Sequence, residues 1–434
     1  MTRPRAVVLV GNPAHPYSRA TRVGRTLAAL GYDVEIAATH QTGLPHEERD
    51  GDLVIRRYAP SGRFEAEAAT QQRPAAQGSS GRSARRPPKP VRVWRTQRAH
   101  IREWAWWPLA VRGWWHTLSH ELKPGDLYHS CGTLPIAAAL TARDRDRTAG
   151  RRSTVILDVI DITMESNNVM AIPPLIRRFL GRRERAWAQR ADAHTAINEV
   201  FADRAAARWE LAKRPTVVPN YPEPWTPPPT APDLARAATG LPPSTRICLF
   251  WGRLGPYVGL DEAAEAVLQV PDTALVVLGF GRGWERSVAR DADPRFAGRH
   301  FTLPAVHPDE LLSWVASADI ALCTLPPLSY NQRFTMPNKF LEAMAAGTPI
   351  VLGPDLPTME ARLREEDLGR VAASMAPGEI AAAIRSILDM PEAERAAWRE
   401  RIQAIARERY SWPIAAEAYG GLIRSLEAGG ASRR

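Results

Sequence analysis

Residues 337–350 read Pro-Asn-Lys-Phe-Leu-Glu-Ala-Met-Ala-Ala-Gly-Thr-Pro-Ile, and Val351-Leu352 follow. Pro337 suits the first helical position, where a missing N–H costs nothing and the fixed φ is already helical. Phe340, Leu341, Met344 and Ala345 recur at helical spacing, and Gly347 is a helix stop. Residues 348–352 then read as a buried strand, so the stretch is a loop–helix–strand unit of an α/β sheet. The start of such a helix gathers unpaired N–H groups and the positive end of the dipole, a seat for an anion. Glu342 lies about a turn and a half inside, within reach of polyol hydroxyls beside that anion. A diphosphate joined to a ribose asks for both groups at once. An ordinary α/β unit explains the apolar spacing but gives Glu342 no task.

The chain has 434 residues and a net charge of +10. That length exceeds one ordinary core and fits two domains. The charge is concentrated: Arg82, Arg85, Arg86, Lys89, Arg92, Arg95, Arg98 and Arg102 have no acid among them and account for +8. The remainder is nearly balanced, so the basic total does not indicate a nucleic-acid-binding fold. Cys131, Cys248 and Cys323 are far apart and sit in or beside apolar runs. They are expected as buried, reduced thiols rather than ligands or disulfides. The first residues begin a strand rather than a signal peptide, and no uncharged apolar stretch reaches the ~18 residues of a membrane span. A cytoplasmic protein is expected, with peripheral membrane contact through 82–115 left open.

Strand and helix patterns alternate from the start. Strands are expected over 6–10, 33–38, 54–58, 127–129, 155–159 and 193–197, with a helix over 18–30 stopped by Gly31. This is a doubly wound α/β domain, whose ligands bind at the carboxyl ends of strands. Residues 60–92, rich in Gly, Pro, Ser, Gln and Arg, break the pattern and read as a mobile loop. Farther on the spacing turns helical. Ile101, Trp104, Pro108, Val111, Trp115, Leu118 and Leu122 share a stripe, with Trp106, Trp107 and Trp114 off it. Residues 222–229, Pro-Glu-Pro-Trp-Thr-Pro-Pro-Pro, form a stiff linker. A second α/β series follows, with strands over 247–251, 274–278, 320–324 and 350–352. Domains are therefore expected over 1–222 and from 223 onward.

After the first strand of the second series comes Gly252-Arg253-Leu254-Gly255-Pro256-Tyr257-Val258-Gly259, and the next strand runs into Gly279-Phe280-Gly281. In order and spacing, these motifs and P-N-K-x-x-E resemble the retaining GT-B glycosyltransferases of family four. The resemblance implies two Rossmann-like domains facing across a cleft, the second over 223–411, with a last helix over 412–428 packing back on the first. It implies a nucleoside-diphosphate sugar as co-substrate, no metal and no further cofactor, and transfer with retention. In the family pattern G-R-L-x-x-x-K-G the Arg and Lys grip the diphosphate. Arg253 takes the first place, whereas Val258 takes the second, so half the cationic pair is absent; Arg282 and Arg333 are candidate replacements. Gly11, Gly252, Gly279 and Gly281 let the backbone approach the donor, and Val306 meets the nucleobase. Phe334, Thr335, Met336, Asn338 and Lys339 belong to the same donor site, and Glu342 holds the ribose. Phe334 stands eight residues before Glu342, where many members carry a second Glu that holds sugar hydroxyls. His307 is read as exposed beside a helix start.

The first domain carries the acceptor side in this resemblance. Asn12, His15 and Arg19 lie in the loop after the first strand, as contacts to donor or acceptor or as solvated residues. Trp106 and Trp107 are expected at an acceptor pocket. Asp126-Leu127-Tyr128-His129 resembles a D-x-x-H strand end, so His129 is a catalytic candidate or a satisfied strand-end histidine. Asp158-Val159-Ile160-Asp161 aligns with D-x-H-D, where Ile160 replaces the usual imidazole and Asp161 and Glu165 remain as polar candidates. Val217-Val218-Pro219-Asn220-Tyr221-Pro222 matches the family's hinge. Arg253 and the amides of Asn338 and Lys339 are expected to stabilise the departing diphosphate. A small acceptor that ionises easily, such as a thiol, loses least from the missing imidazole; a lipid-linked saccharide is the rival. A sugar-nucleotide epimerase, a non-catalytic GT-B descendant, and a membrane- or nucleic-acid-binding module on 82–115 are the other readings.

Overall fold

The computed structural model describes residues 3–15, 18–59, 112–169, 172–228, 233–255 and 258–431. The basic loop, Trp106 and Trp107 lie outside the described residues. The chain divides into two compact units, Met1–Val217 with Tyr419–Arg434, and Val218–Ala418.

The first unit is built on β1 (Arg5–Val10), β2 (Asp33–Thr39), β3 (Glu47–Asp50), β4 (Leu53–Tyr58), β5 (Leu127–Cys131), β6 (Thr154–Val159), β7 (Ala193–Ala196) and β8 (Thr216–Val217). They lie in the order β3-β4-β2-β1-β5-β6-β7-β8, parallel except for the β3–β4 pair. Residues Ala6 to Val10 are all fully buried, as a central strand covered on both faces requires. The second unit carries β9 (Arg246–Arg253), β10 (Thr273–Phe280), β11 (His300–Pro304), β12 (Ile320–Cys323), β13 (Ile350–Leu352) and β14 (Gly369–Val371). These are parallel throughout, in the order β11-β10-β9-β12-β13-β14. The strand order reverses between β1 and β5 in one sheet and between β9 and β12 in the other. At each reversal the chain leaves two neighbouring strands in opposite directions, which opens a crevice at their carboxyl ends.

The structure corrects the phase of the helix at 112–121. Trp114, expected off the stripe, is buried with Leu118 and Leu122 in one i, i+4 row, whereas Trp115 lies at the border. There the Trp115 indole N–H donates to the Leu134 carbonyl at 2.7 Å, and its ring meets Trp187 edge-on. The three cysteines are buried and free, and burial pushes each thiol up, that of Cys323 to about 11.

One glycine fixes the geometry of the second crevice. Gly259 has φ of 73°, and a Cβ there would stand 1.6 Å from the Thr324 carbonyl oxygen. The Thr324 hydroxyl in turn donates to the Gly259 carbonyl at 2.9 Å, tying the loop after β9 to the end of β12. Gly255, in the same loop, meets nothing within 4 Å. Gly259→Ala is expected to destabilise the protein by at least about 3 kcal/mol, the upper part of the ordinary single-substitution range. Gly255→Ala should stay within about 0.5 kcal/mol. Chemical denaturation of the two variants separates close approach from loss of loop freedom, and equal effects would refute this role for Gly259.

Candidate active site

At the β9–β12 reversal, β9 ends in Phe250-Trp251-Gly252-Arg253. Gly252 has φ of 102°, a left-handed turn that swings Arg253 outward. Arg253 is exposed and has no ion pair or hydrogen bond among the described residues, so its guanidinium is available to an anion. At the end of β10, a Cβ on Gly279 would stand 2.6 Å from the Leu254 side chain, and one on Gly281, just beyond the strand, would stand 3.0 Å from the Leu254 carbonyl. The two glycines therefore seat Leu254 and with it the turn that carries Arg253.

The helix Asn338–Ala345 starts beside this turn without a side-chain cap. Its first intrahelical bond runs from the Phe340 amide to the Pro337 carbonyl at 3.0 Å, so the amides of Asn338 and Lys339 precede it. Asn220, from the hinge-like segment, donates to the Asn338 side-chain oxygen at 2.6 Å. Glu342 is half-buried, and one of its oxygens accepts the Trp251 indole N–H at 2.7 Å. Lys339 is half-buried as well, with its ammonium 3.4 Å from the centre of the Phe250 ring. Burial lowers that ammonium to about 8. Sequence reading treated Phe250 and Trp251 only as strand residues. Two aromatic side chains at the end of a strand, directly before a Gly-Arg turn, were the available signal.

The remaining second-unit candidates are more ordinary. The Phe334 ring is tilted at 42° against that of Tyr330, with centroids 4.5 Å apart, and the Arg333 guanidinium lies 5.7 Å from the Phe334 ring. Val306, Val258 and Met336 are half-buried and packed against the core, and Thr335 is half-buried. Arg282 is exposed. His307 is exposed and caps the helix Pro308–Ala316, accepting from the Asp309 amide at 3.4 Å.

In the first unit a Cβ on Gly11 would stand 2.2 Å from a Leu134 methyl, so β1 ends in close contact with the turn after β5. Asn12 is half-buried, its side-chain oxygen accepting from the Ala14 amide at 2.8 Å, while His15 is exposed. Arg19 corrects the sequence reading. It lies in the helix Ser18–Ala29, only 2% exposed, and donates two hydrogen bonds to Asp158, at 2.6 and 2.7 Å. His129 is likewise fully buried rather than open to substrate. Its Nδ1 lies 2.9 Å from the Tyr419 hydroxyl and its Nε2 lies 3.5 Å from Asp158. Thr195 completes the cluster, donating to Asp158 at 2.8 Å. Burial alone would raise the Asp158 carboxyl, but the Arg19 guanidinium outweighs it and holds the group well below the usual carboxylate range.

Ligand atoms of His129, Cys131 and Asp158 lie within 4.8 Å of one another, yet Arg19 already neutralises the carboxylate and repels a second cation. Glu165 is committed to Arg204 and to Arg208, the latter at 3.0 Å. Asp161 is reached by solvent while crowded by protein, and that crowding raises its carboxyl to about 6.

Arg19→Met would leave a fully buried carboxylate unpaired, and a loss of about 3–5 kcal/mol is expected by urea denaturation. Arg25→Met, which breaks an exposed pair with Asp50, should cost less than about 1 kcal/mol. Because the folded Asp158 carboxyl is depressed, its stabilisation is fully present above the ordinary carboxylate value. It disappears as pH falls below about 4, and this acid limb should be weaker in Asp158→Asn. Equal losses from the two arginine substitutions would contradict the assignment.

Residues 245–390 match the family described as glycosyl transferases group 1. D-inositol 3-phosphate glycosyltransferase of Segniliparus rotundus is 30% identical over 205 residues, 45% of this chain and 44% of the relative. D-inositol 3-phosphate glycosyltransferase 2 of Catenulispora acidiphila is 30% identical over 210 residues, 45% of this chain and 47% of the relative. The chain thus spans just under half the length of the curated relatives it matches. Among solved structures, sucrose-phosphate synthase from Thermosynechococcus elongatus has a TM-score of 0.68 at 16% identity, covering 98% of this chain and 100% of that one. The Anabaena protein HepE in complex with UDP-glucose has a TM-score of 0.64 at 14% identity, covering 97% and 100%. Likeness at such identities carries the fold alone. The matched segment spans the crevice between β9 and β12, and the two doubly wound sheets, one in each unit, are those of the GT-B fold.

Proposed function

We propose that the protein transfers a sugar from a nucleoside-diphosphate sugar to an acceptor, with retention at the anomeric carbon and without a metal. The observation that carries this reading is the Trp251–Glu342 hydrogen bond beside an uncapped helix start and the exposed Arg253. An orientated carboxylate suits the two ribose hydroxyls, and the amides of Asn338 and Lys339 suit the phosphates. In the reaction the bond from the anomeric carbon to the diphosphate oxygen breaks and a bond to the acceptor forms on the same face. The proton of a readily ionising acceptor passes to the departing diphosphate, and that of a sugar hydroxyl passes to Asp161. Arg253 stabilises the charge that develops there, and the Lys339 ammonium serves as the second cation in place of the amine missing at Val258. Gly252, Gly279 and Gly281 admit the donor backbone contacts, Val306 borders the base, and Phe334, Thr335 and Met336 border the sugar.

On the acceptor side, Gly11, Asn12 and His15 border the crevice at the β1–β5 reversal, and Asp161 is the carboxyl suited to take a proton above pH 6. Arg19 and His129 act as positioning residues beneath it. We propose a small acceptor whose nucleophile ionises readily, thiol-like, because the base equipment is sparse. The names of the curated relatives make a cyclitol phosphate a second arm of any acceptor panel. A lipid-linked saccharide is the other reading, favoured by three exposed apolar side chains, Leu175, Ile176 and Phe179.

Glu342→Ala should weaken nucleoside-diphosphate binding by about 1.5–3 kcal/mol, the range for hydrogen bonds to charged groups. Arg253→Ala should lower the turnover rate by at least ~10²-fold, as loss of one transition-state donor does. Wild-type turnover should persist in EDTA; activity that EDTA removes and magnesium restores would contradict the metal-free chemistry.

With a sugar hydroxyl as acceptor, turnover should fall as pH drops below about 6 and Asp161 protonates. Asp161→Asn should abolish that limb, and a thiol acceptor should depend on it less. An unchanged acid limb in Asp161→Asn would remove Asp161 from the mechanism, and transfer to ordinary sugar hydroxyls alone would exclude the thiol-like acceptor.

A further inference from the structure

We propose that the first unit docks on an anionic lipid surface through the start of the helix Pro174–Arg190. Leu175 is 82% exposed, Ile176 51% and Phe179 60%, three large apolar side chains within five residues. The helix buries only Glu184 and Ala188, on its opposite face. At 100° per residue, Leu175 and Phe179 share one line along the helix, with Ile176 beside them. Arg178 and Arg182 flank that line on one side, and Arg183 flanks it on the other.

The arginines divide in a telling way. Arg185 and Arg190, farther along, are paired with Glu210 and Asp144. Arg177, Arg178, Arg182 and Arg183 have no acidic partner among the described residues, and Arg183 lies over the Trp187 ring at 5.3 Å. Unpaired cations are thus gathered where the apolar tips stand out, and the stretch 175–183 contains no acid.

Single exposed apolar residues need no explanation, but a cluster of three ringed by cations does. Protein interface cores are depleted of charge, whereas helices lying in a bilayer interface combine apolar tips with Arg-rich flanks. The apolar tips enter the acyl boundary while the guanidinium groups meet lipid phosphates. The chain's own basic segment is no complement for this face, since its cations between Arg82 and Arg102 have no acid among them. Among the described residues no helix is long and apolar enough to cross a membrane, so the contact is a surface one. This docking stands on the helix alone and not on the donor chemistry; if it holds, it favours the lipid-linked acceptor.

The test is sedimentation of the full chain with vesicles of phosphatidylglycerol and phosphatidylcholine, against phosphatidylcholine alone. The wild type should bind the anionic vesicles and be released by salt. Leu175→Ser with Ile176→Ser and Phe179→Ser should reduce binding at least ~10-fold, as should Arg178→Ser with Arg182→Ser and Arg183→Ser. Because these side chains are exposed, thermal midpoints and nucleotide binding should not change. As an independent measurement, Phe179→Cys can be labelled with an environment-sensitive dye, the three native thiols being buried. Its emission should shift to the blue on anionic vesicles. No binding by the wild type, undiminished binding by the apolar triple variant, or an unshifted dye would overturn the proposal. Preference for an oligonucleotide over vesicles would overturn it too.

Discussion

One hydrogen bond, from the Trp251 indole N–H to a Glu342 oxygen at 2.7 Å, joins the end of β9 to the helix Asn338–Ala345 that precedes β13. It spans the place where the strand order of the second sheet reverses. Neither partner can do its work elsewhere. A glutamate on a half-exposed helix samples many rotamers, and ordering it at the moment of binding costs conformational entropy. Held by an indole that is itself fixed by a buried strand, the carboxylate is orientated in advance. The glycines around it serve the same geometry: Gly259 lets the loop meet the β12 carbonyl, and Gly279 and Gly281 let Leu254 settle beneath Arg253. Lys339, with its ammonium against the Phe250 face, adds a positive charge with no acid in a salt bridge to it among the described residues.

The first unit is organised around a different constraint, a buried carboxylate. Asp158 is fully buried, and its charge is tolerated because Arg19 meets it with two hydrogen bonds and Thr195 with a third. His129 and Tyr419 extend the cluster, so that β5, β6, β7 and two helices converge on one point. Tyr419 belongs to the helix Trp412–Ala431, whose Glu427 also accepts from Tyr32 at 2.7 Å. The end of the chain is thereby bonded to the unit in which the chain begins. Such a network is rigid when satisfied and costly when broken, which makes it a platform for neighbouring loops rather than a reacting group.

What was legible in the sequence follows from which forces act locally. The parallel strands of both sheets were readable because buried strands must be continuously apolar, and the helix after Pro337 because its apolar spacing, start and stop agree. The edge strands were not. Glu47–Asp50 is entirely charged, as an exposed edge tolerates, and His300–Pro304 ends in a proline that reads as loop. Arg19 and His129 looked like site residues because charge and imidazole are usually solvated. Their burial depends on Asp158, 139 residues from Arg19, a partner that no local pattern reveals. The phase of the helix at 112–121 turned by one residue for a similar reason: the Leu134 carbonyl that receives the Trp115 N–H comes from a distant turn.

The account rests on the β9–β12 crevice being a nucleoside-diphosphate site preorganised by Trp251. Calorimetric titration of UDP, GDP, ADP and TDP in EDTA, on the wild type and on Trp251→Phe, addresses that most directly. The account predicts one-to-one binding of at least one of the four to the wild type, and binding of that nucleotide weakened roughly 10–150-fold by Trp251→Phe, the loss of one hydrogen bond to a charged group. No binding of any of the four by the wild type, or an affinity that Trp251→Phe leaves unchanged, would contradict it.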